Sequence, residues 1–288
     1  MLAVAVALAG PVAAAPARPR IVSLAPHLTE LVYAAGAGEL LVGVVEYSDY
    51  PEAARSLPRV GDAWRVDMER LLALEPDVVL TWASGTPDDV IERLEKLGLV
   101  HREIATFRLA DVPIALRMIG AIAGTPDAAE AAASGFERDI AVLRKSYATA
   151  MPLSVFIQLD DQPLYTVNGR HIISEVVELC GGRNVFAELS QLAPAVSLEA
   201  VVAADPQVIV STDDTIADPL AMWRRWKGMR AVRAGAVYPL PADTMARATP
   251  RLVAGTRATC EALDDARGKW GHTGLLPNPT GARGRRAN

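Results

Sequence analysis

Aromatic and polar side chains follow the apolar runs of this 288-residue chain that we interpret as buried β-strands. Ligands of open parallel α/β sheets lie outside the carboxyl ends of the strands, so these side chains are candidates for a binding site. Most of them are aromatic or uncharged, which suits a large, flat ligand that is apolar or rich in amides better than a sugar phosphate. The predicted ligand-binding residues are Tyr47, Tyr50, Trp64 and Trp82 in the first half of the chain, and Gln158, Tyr165, Asp243 and Arg247 in the second.

Motifs of catalysis and of cofactor binding are not found in the sequence. Gly36-Ala37-Gly38 lacks the third glycine of a dinucleotide-binding loop, and neither a Walker-type glycine-rich loop nor a G-x-S-x-G elbow occurs. We therefore predict that the protein is not an enzyme and has no catalytic residue or cofactor. A zinc site needs about four clustered ligands, whereas the histidines are scattered, so we also predict no metal site. The four histidines are His27, His101, His171 and His272.

An internal repeat organises the elements that must position these side chains. The twelve residues from Glu69 to Leu80 recur 130 positions later, from Glu199 to Val210, with four identities and mostly conservative changes elsewhere. Asp67 and Ser197 precede the two copies at the same offset, and both are favourable helix N-caps. The repeat predicts two similar lobes with a cleft between them, and such clefts are common sites for small ligands.

Apolar runs alternate with amphipathic helices, which predicts the α/β class with parallel sheets covered by helices on both faces. The first strand is expected to lead into a helix capped by Thr29, and the last helix is predicted over Pro250–Arg267. We expect a single long, rigid helix to join the lobes, because the connecting segment is rich in alanine. The predicted divisions are a signal peptide at 1–17, an N-terminal lobe at 18–125, a linker helix at 126–149, a C-terminal lobe at 150–267 and a disordered tail at 268–288.

The N-terminal segment and the overall charge limit where the protein works. Residues 2–15 are apolar and end in small side chains, which is typical of a secretory signal peptide and too short to span a bilayer. We therefore predict a soluble periplasmic protein. The net charge of -5 argues against nucleic-acid binding, which needs a basic surface. In an exported chain, Cys180 and Cys260 could form a disulfide or remain as two buried thiols.

Glu69 and Glu199 occupy matching places in the repeat, one in each lobe. A carboxylate in the first turn of a helix interacts favourably with the helix dipole, and this alone explains the residue type. The functional alternative is a two-point acidic contact with a two-fold symmetric partner that presents arginines.

The chain resembles the periplasmic vitamin B12-binding proteins of bacterial ABC importers. They belong to the helical-backbone (class III) substrate-binding proteins, a group that also serves heme and iron-siderophore uptake. The resemblance covers about residues 20–265. Its most specific segments are Tyr47-Ser-Asp-Tyr-Pro51, Met68–Asp77, Glu178–Phe186 and Asp243–Arg251.

The resemblance implies roles for particular residues. Tyr47, Trp64 and Trp82 match aromatic positions that contact the corrin ring, whereas Asp243 and Arg247 match polar contacts from the other lobe. Cys180 and Cys260 match the family's disulfide, and Glu69 and Glu199 match glutamates that dock onto the dimeric permease. The chain departs from the pattern at Ala193, Thr244 and Met245, where aromatic residues are expected, and in a loop near Trp64 that is one residue shorter.

These observations predict a monomeric periplasmic protein that captures a corrinoid in the interlobe cleft and delivers it to an ABC transporter permease dimer in the inner membrane. One alternative is a heme or ferric-siderophore receptor of the same fold. Another is an exported two-lobed enzyme with its active site in the cleft.

Overall fold

The computed structural model describes residues 18–62, 64–213, 218 and 220–272. Two α/β lobes, each built on a four-stranded parallel sheet, lie on either side of a cleft, which confirms the predicted fold class. Within these ranges, no helix is long and apolar enough to cross a membrane. The predicted signal peptide at 1–17 lies outside the described residues and stays a prediction.

The first lobe contains four strands in the order β2-β1-β3-β4, all parallel. The central strand β3 reads Val-Val-Leu-Thr-Trp and is buried up to its last residue, as expected for a sheet that is covered on both faces. Its elements are β1 (Ile21–Ser23), α1 (Pro26–Ala34), β2 (Leu41–Val44), α2 (Met68–Ala73), β3 (Val78–Trp82), α3 (Asp88–Lys96), β4 (His101–Ile104) and α4 (Asp111–Ala123).

The second lobe contains a parallel sheet in the order β10-β9-β5-β8 and a short antiparallel hairpin. Its first elements are β5 (Leu153–Gln158), β6 (Asp160–Asp161), β7 (Leu164–Tyr165), α6 (Ile172–Leu179), β8 (Gly182–Asn184) and α7 (Leu198–Ala204). They are followed by β9 (Val208–Ser211), α8 (Arg230–Ala234), β10 (Val237–Pro239), α9 (Ala242–Met245) and α10 (Leu252–His272).

The repeat seen in the sequence is a repeat of topology. In each lobe the repeated segment forms a helix and then an inner strand, α2 with β3 and α7 with β9. Each of these strands pairs with the first strand of its lobe on one side and with the last strand on the other. The predicted caps are also present, because the Asp67 and Ser197 side chains accept hydrogen bonds from backbone N–H groups of the first turns.

A helix of 22 residues, α5 (Pro126–Tyr147), joins the lobes within the segment predicted for the linker. Its buried residues alternate at spacings of four and three, the pattern of a helix with one apolar face. They are Ala129, Ala133, Phe136, Ile140 and Leu143, and they belong to a core cluster that includes residues of both lobes. Because this core is continuous, α5 is packed as an integral part of both lobes.

Two predicted helix ends were wrong. Helix α1 begins at Pro26, so Thr29 lies inside it, and the Thr29 hydroxyl contacts the Ser23 and Ser48 hydroxyls at 3.0 and 3.2 Å. Helix α10 continues to His272, five residues beyond the predicted end at Arg267, so 268–272 are helical and not a disordered tail. The rest of that predicted tail, 273–288, lies outside the described residues.

The disulfide between Cys180 and Cys260 is confirmed. It joins the end of α6 to the middle of α10, with the two Cα atoms 4.7 Å apart and both residues fully buried. The bond closes a loop with a sequence separation of 80 residues.

Candidate functional site

A cavity of about 330 Å³ lies between the lobes, and we call it the interlobe cavity. It is reached from the carboxyl ends of the first lobe's strands: Trp82 ends β3, His27 follows β1, and Thr106 follows β4. The first lobe lines it with His27, Trp64, Trp82, Ser84, Thr106 and Phe107. The second lobe lines it with His171, Ile172, Leu192, Ala193, Ala246 and Ala248.

Trp82 is held in place by its immediate neighbours. Its ring meets the His27 ring edge-on, with centroids 5.0 Å apart, and its backbone N–H donates to Thr86 Oγ1 at 2.8 Å. Gly85 lies so close that a Cβ atom there would be 1.9 Å from the indole. Close packing therefore fixes the Trp82 ring in the absence of ligand. Less conformational entropy is then lost when a ligand binds.

Trp64 and Tyr47 expose unusually large parts of their rings. The exposed fractions are 67% for Trp64 and 76% for Tyr47. Asp62 holds the Trp64 loop, since its carboxylate accepts the backbone N–H groups of Trp64 and Arg65 at 2.8 and 2.7 Å. Tyr47 has a φ of 63°, a left-handed conformation that is rare for an aromatic residue. Exposed apolar rings are typical of binding surfaces. Trp64 lines the interlobe cavity, whereas Tyr47 does not, and the ligand-binding role of Tyr47 stays a prediction.

Two second-lobe residues that were predicted to bind ligand are already engaged in the protein. Gln158 is fully buried, and its side-chain oxygen accepts a hydrogen bond from Trp223 Nε1 at 2.7 Å. Arg247 donates to Glu30 and Asp49 of the first lobe at 2.9 and 2.6 Å. Neither side chain lines the interlobe cavity, because each is bonded to another polar group of the protein, and their role in ligand binding stays a prediction.

Three further candidates lie outside the interlobe cavity. The Tyr50 ring lies under the Arg251 guanidinium at 3.9 Å and lines a separate depression. Tyr165 pairs with Asp160 in the β6–β7 hairpin. Asp243 is exposed and forms ion pairs with Arg247 and Arg251 at 3.7 and 4.0 Å. These three residues therefore do not line the cavity, and their role in ligand binding stays a prediction.

Glu30 is the centre of an ion-pair cluster that joins the two lobes. Its side chain is 2% exposed and lies on α1, one turn after His27. Arg247 Nη1, Arg251 Nη1 and Thr249 Oγ1 donate to it from the second lobe at 2.9, 3.1 and 3.1 Å. The cluster joins the lobes next to the cavity, because Ala246 and Ala248 lie on the same segment and line it.

Arg247 also fixes the loop that carries Tyr47. Its guanidinium donates to the Tyr47 carbonyl at 3.2 Å and to the Asp49 carboxylate. Although burial raises the pKa of Asp49, the hydrogen bond and the charge of Arg247 together hold that pKa below its ordinary value. Asp49 therefore stays ionised at neutral pH, and the Tyr47 loop is attached to the second lobe by a charged hydrogen bond.

Both histidines of the cavity are uncharged at neutral pH. Burial, with a contribution from the charge of Arg247, lowers the pKa of His27 to about 3. Burial lowers the pKa of His171 to about 4. Among the described residues that line the cavity there is no carboxylate, arginine or lysine. The wall is therefore aromatic, aliphatic and neutral, and it suits an uncharged, largely apolar ligand surface.

Glu69 and Glu199 lie in the first turns of α2 and α7, one in each lobe. Both are exposed, and neither forms an ion pair with any part of the chain that the structure describes. Their carboxylates are therefore available for a partner as well as for the helix dipole.

The predicted ligand-binding residues include only Trp64 and Trp82 of the lining, and Thr106, Phe107 and His171 are among the side chains that sequence reasoning missed. Thr106 and Phe107 follow β4, so the rule that selected the other strand ends would have included them had β4 been recognised. His171 directly precedes α6 as its N-cap. Histidine is an uncommon N-cap, so no local signal in the sequence marked this residue.

The sequence profile of the periplasmic binding protein family matches residues 21–244. The chain belongs to this family. The vitamin B12-binding protein of Vibrio cholerae serotype O1 (strain ATCC 39541) is 38% identical over 245 residues, which cover 85% of this chain and 88% of that protein.

Solved structures agree with the family assignment. The crystal structure of the periplasmic vitamin B12-binding protein BtuF of Vibrio cholerae superposes with a TM-score of 0.82 at 37% identity, covering 87% of this chain and 98% of that one. The apo periplasmic heme-binding protein RhuT from Roseiflexus sp. RS-1 superposes with a TM-score of 0.76 at 25% identity, covering 86% and 99%. The resemblance inferred from the sequence is therefore confirmed at the level of the family and the fold.

Proposed function

We propose that this protein is a periplasmic receptor that binds a corrinoid in the interlobe cavity and delivers it to an ABC importer. The observation that carries the proposal is the aromatic wall formed by the exposed Trp64 and the partly buried Trp82 in the cleft of a chain whose relatives are vitamin B12-binding proteins. Flat rings that are already exposed can cover one face of a macrocycle without rearrangement of the core. In this proposal the protein holds its ligand unchanged and catalyses no reaction.

The electrostatics of the cavity favour a corrin over a heme. A corrinoid carries amides around its ring, whereas heme carries two propionates that pair best with cations. The lining described here has no cationic side chain, and His27 and His171 are neutral. These properties support an uncharged periphery for the ligand.

A heme receptor is the second candidate, and one observation favours it. The neutral imidazole of His27 lies in the cavity wall, and neutral imidazole is a good ligand for iron. However, His27 is only 7% exposed and packs against Trp82. For the exported enzyme predicted as a further alternative, the lining offers a hydroxyl beside an imidazole, since Thr106 Oγ1 lies 3.5 Å from His27 Nε2. Burial lowers the pKa of that imidazole to about 3, which makes it a poor general base at neutral pH.

Titration of the purified protein with cyanocobalamin, cobinamide, hemin and a ferric siderophore tests the choice of ligand. We expect saturable binding of both corrinoids, measured by calorimetry or by the change in their visible absorption. Tight binding of hemin without binding of either corrinoid would replace the proposal with the heme receptor.

Trp64→Ala should weaken corrinoid binding by about 10- to 30-fold, the usual loss for an aromatic residue that is central to a binding surface. The folded state should be little affected, because the Trp64 ring is 67% exposed. Calorimetric titration gives the affinity, and thermal unfolding checks the fold. Val142→Ala, at an exposed position on α5 away from the cleft, is the control and should bind like the wild type. Equal affinities for all three proteins would remove Trp64 from the site.

We further propose that Glu69 and Glu199 dock the loaded protein onto a two-fold symmetric permease through arginines of the partner. The Glu69→Lys/Glu199→Lys variant should keep its corrinoid affinity and lose delivery to the transporter by at least about tenfold, since charge reversal turns two attractive contacts into repulsive ones. Uptake into vesicles that contain the cognate transporter is the measurement. Glu103→Lys/Glu188→Lys changes the net charge equally at exposed positions and should retain uptake. Normal uptake by the Glu69/Glu199 variant would contradict the docking proposal.

A further inference from the structure

The second lobe presents an almost entirely apolar wall to the interlobe cavity. Five of its six lining residues are Ile172, Leu192, Ala193, Ala246 and Ala248, and the sixth is His171. The other polar side chains predicted for this lobe do not line the cavity: Gln158 bonds to Trp223, and Arg247 bonds to the first lobe. Among the described residues, His171 is therefore the second lobe's polar side chain at the cavity.

The position of the proton on His171 follows from its role as a helix cap. His171 is the N-cap of α6, and its Nδ1 accepts the backbone N–H of Ile173 at 3.2 Å. A nitrogen that accepts a hydrogen bond must carry a lone pair, so we assign the ring proton to Nε2. The cap thus converts the other end of the imidazole into a hydrogen-bond donor.

The Nε2–H group has no acceptor within the part of the chain that the structure describes. Nε2 is also not among the buried polar atoms that lack a partner, so the atom is not fully enclosed. It therefore reaches solvent on the side of the ring away from the helix. Because burial holds the pKa of His171 at about 4, the ring offers an N–H group without a positive charge at neutral pH. An uncharged carbonyl is a well-matched acceptor for such a group, whereas a carboxylate pairs better with a cation.

We propose that His171 is a specificity-determining residue that donates its Nε2–H to an amide carbonyl on the periphery of the bound macrocycle. The inference rests on the proposed corrinoid function and adds a contact from the second lobe. A single donor in an apolar wall sets the orientation of a ligand, because any pose without an acceptor there leaves the donor unsatisfied in a dry site.

His171→Ser tests the proposal without removing the cap, because serine is a good N-cap. We expect cyanocobalamin and cobinamide each to bind about 3- to 10-fold more weakly, the range expected for one neutral hydrogen bond. His101→Ser, on a strand of the first lobe away from the cavity, is the matched control and should bind both corrinoids like the wild type. Thermal unfolding establishes that each variant is folded.

His171→Phe separates the hydrogen bond from the packing of the ring. It keeps an aromatic ring in the wall and loses the donor, so we expect it to bind at least as weakly as His171→Ser. Wild-type affinity in either variant would overturn the inference, and so would a loss confined to cyanocobalamin, because the acceptor would then not lie on the ring periphery that both ligands share. Failure of the wild type to bind either corrinoid would overturn the proposed function together with this inference. Corrinoid binding that is unaffected in the variants would overturn the inference alone.

Discussion

Glu30→Ala is expected to lower the free energy of unfolding by about 3 kcal/mol, the lower end of the range for breaking a buried ion pair. The Glu30 carboxylate is 2% exposed and receives donors from Arg247, Thr249 and Arg251. Without this carboxylate, the buried Thr249 hydroxyl loses the acceptor of its hydrogen bond, and the guanidinium groups of Arg247 and Arg251 each lose an ion-pair partner. The loss of stability should stay near the lower end of this range, because Arg247 keeps its hydrogen bond to Asp49 and Arg251 still lies over the Tyr50 ring.

The same substitution should also weaken the coupling between the lobes. Arg247 lies 217 positions from Glu30 in the sequence, and it holds both Glu30 and the Tyr47 loop from the opposite lobe. We therefore expect Glu30→Ala to expose the Tyr47 loop to proteolysis at lower urea concentrations than those that unfold the wild type.

Urea unfolding followed by circular dichroism gives the change in stability. Glu39→Ala is the matched control: Glu39 pairs with Arg18 at 3.5 Å, but both side chains are mostly exposed, so its loss should cost less than about 1 kcal/mol. Equal unfolding midpoints for the two variants would show that the Glu30 cluster contributes no more than a surface ion pair.

Loss of the disulfide is expected to cost about 4 kcal/mol, because the bond closes a loop of about 80 residues whose entropy in the unfolded chain is then restored. Cys180→Ala/Cys260→Ala removes both sulfur atoms without introducing a polar group at these fully buried positions. Urea unfolding of the variant is compared with that of the oxidised wild type.

Each single cysteine variant is an internal control for this prediction. Either substitution breaks the same crosslink, so the single variants should lose nearly as much stability as the double variant. A reducing agent should lower the midpoint of the wild type and leave that of the double variant unchanged. An unchanged midpoint in the reduced wild type would contradict the prediction.

Local sequence patterns predicted the elements of the fold well. Apolar runs such as Val78–Leu80 are typical of strands that are buried on both faces, and α5 shows the spacing of a helix with one buried face. Asp67 and Ser197 cap their helices through backbone groups two or three residues away, so the information lies within a single turn. The errors at Thr29 and Arg267 concern helix ends, which depend on a few competing local contacts.

The sequence predicted the residues of the candidate site less accurately than the elements of the fold. Trp82 ends β3 and lines the cavity as expected, because strand ends in parallel sheets meet at one edge. Trp64 lines it from the loop before α2. Gln158 also ends a strand but does not line the cavity, since its side chain is bonded to Trp223 inside the lobe. The strand-end rule predicts the position of a residue along the sheet, but it does not predict which face of the sheet the side chain lies on.

The sequence alone determined the two-lobed α/β architecture, the repeat and the family, because these depend on hydrophobic periodicity, on caps and on motifs within short segments. Only the tertiary structure decided which polar groups are available to a ligand. Arg247 is bonded to Glu30 and Asp49 of the opposite lobe, and His171 becomes a donor because its other nitrogen caps α6. The partner of a buried polar group often lies far away in the sequence, and no local pattern encodes that pairing.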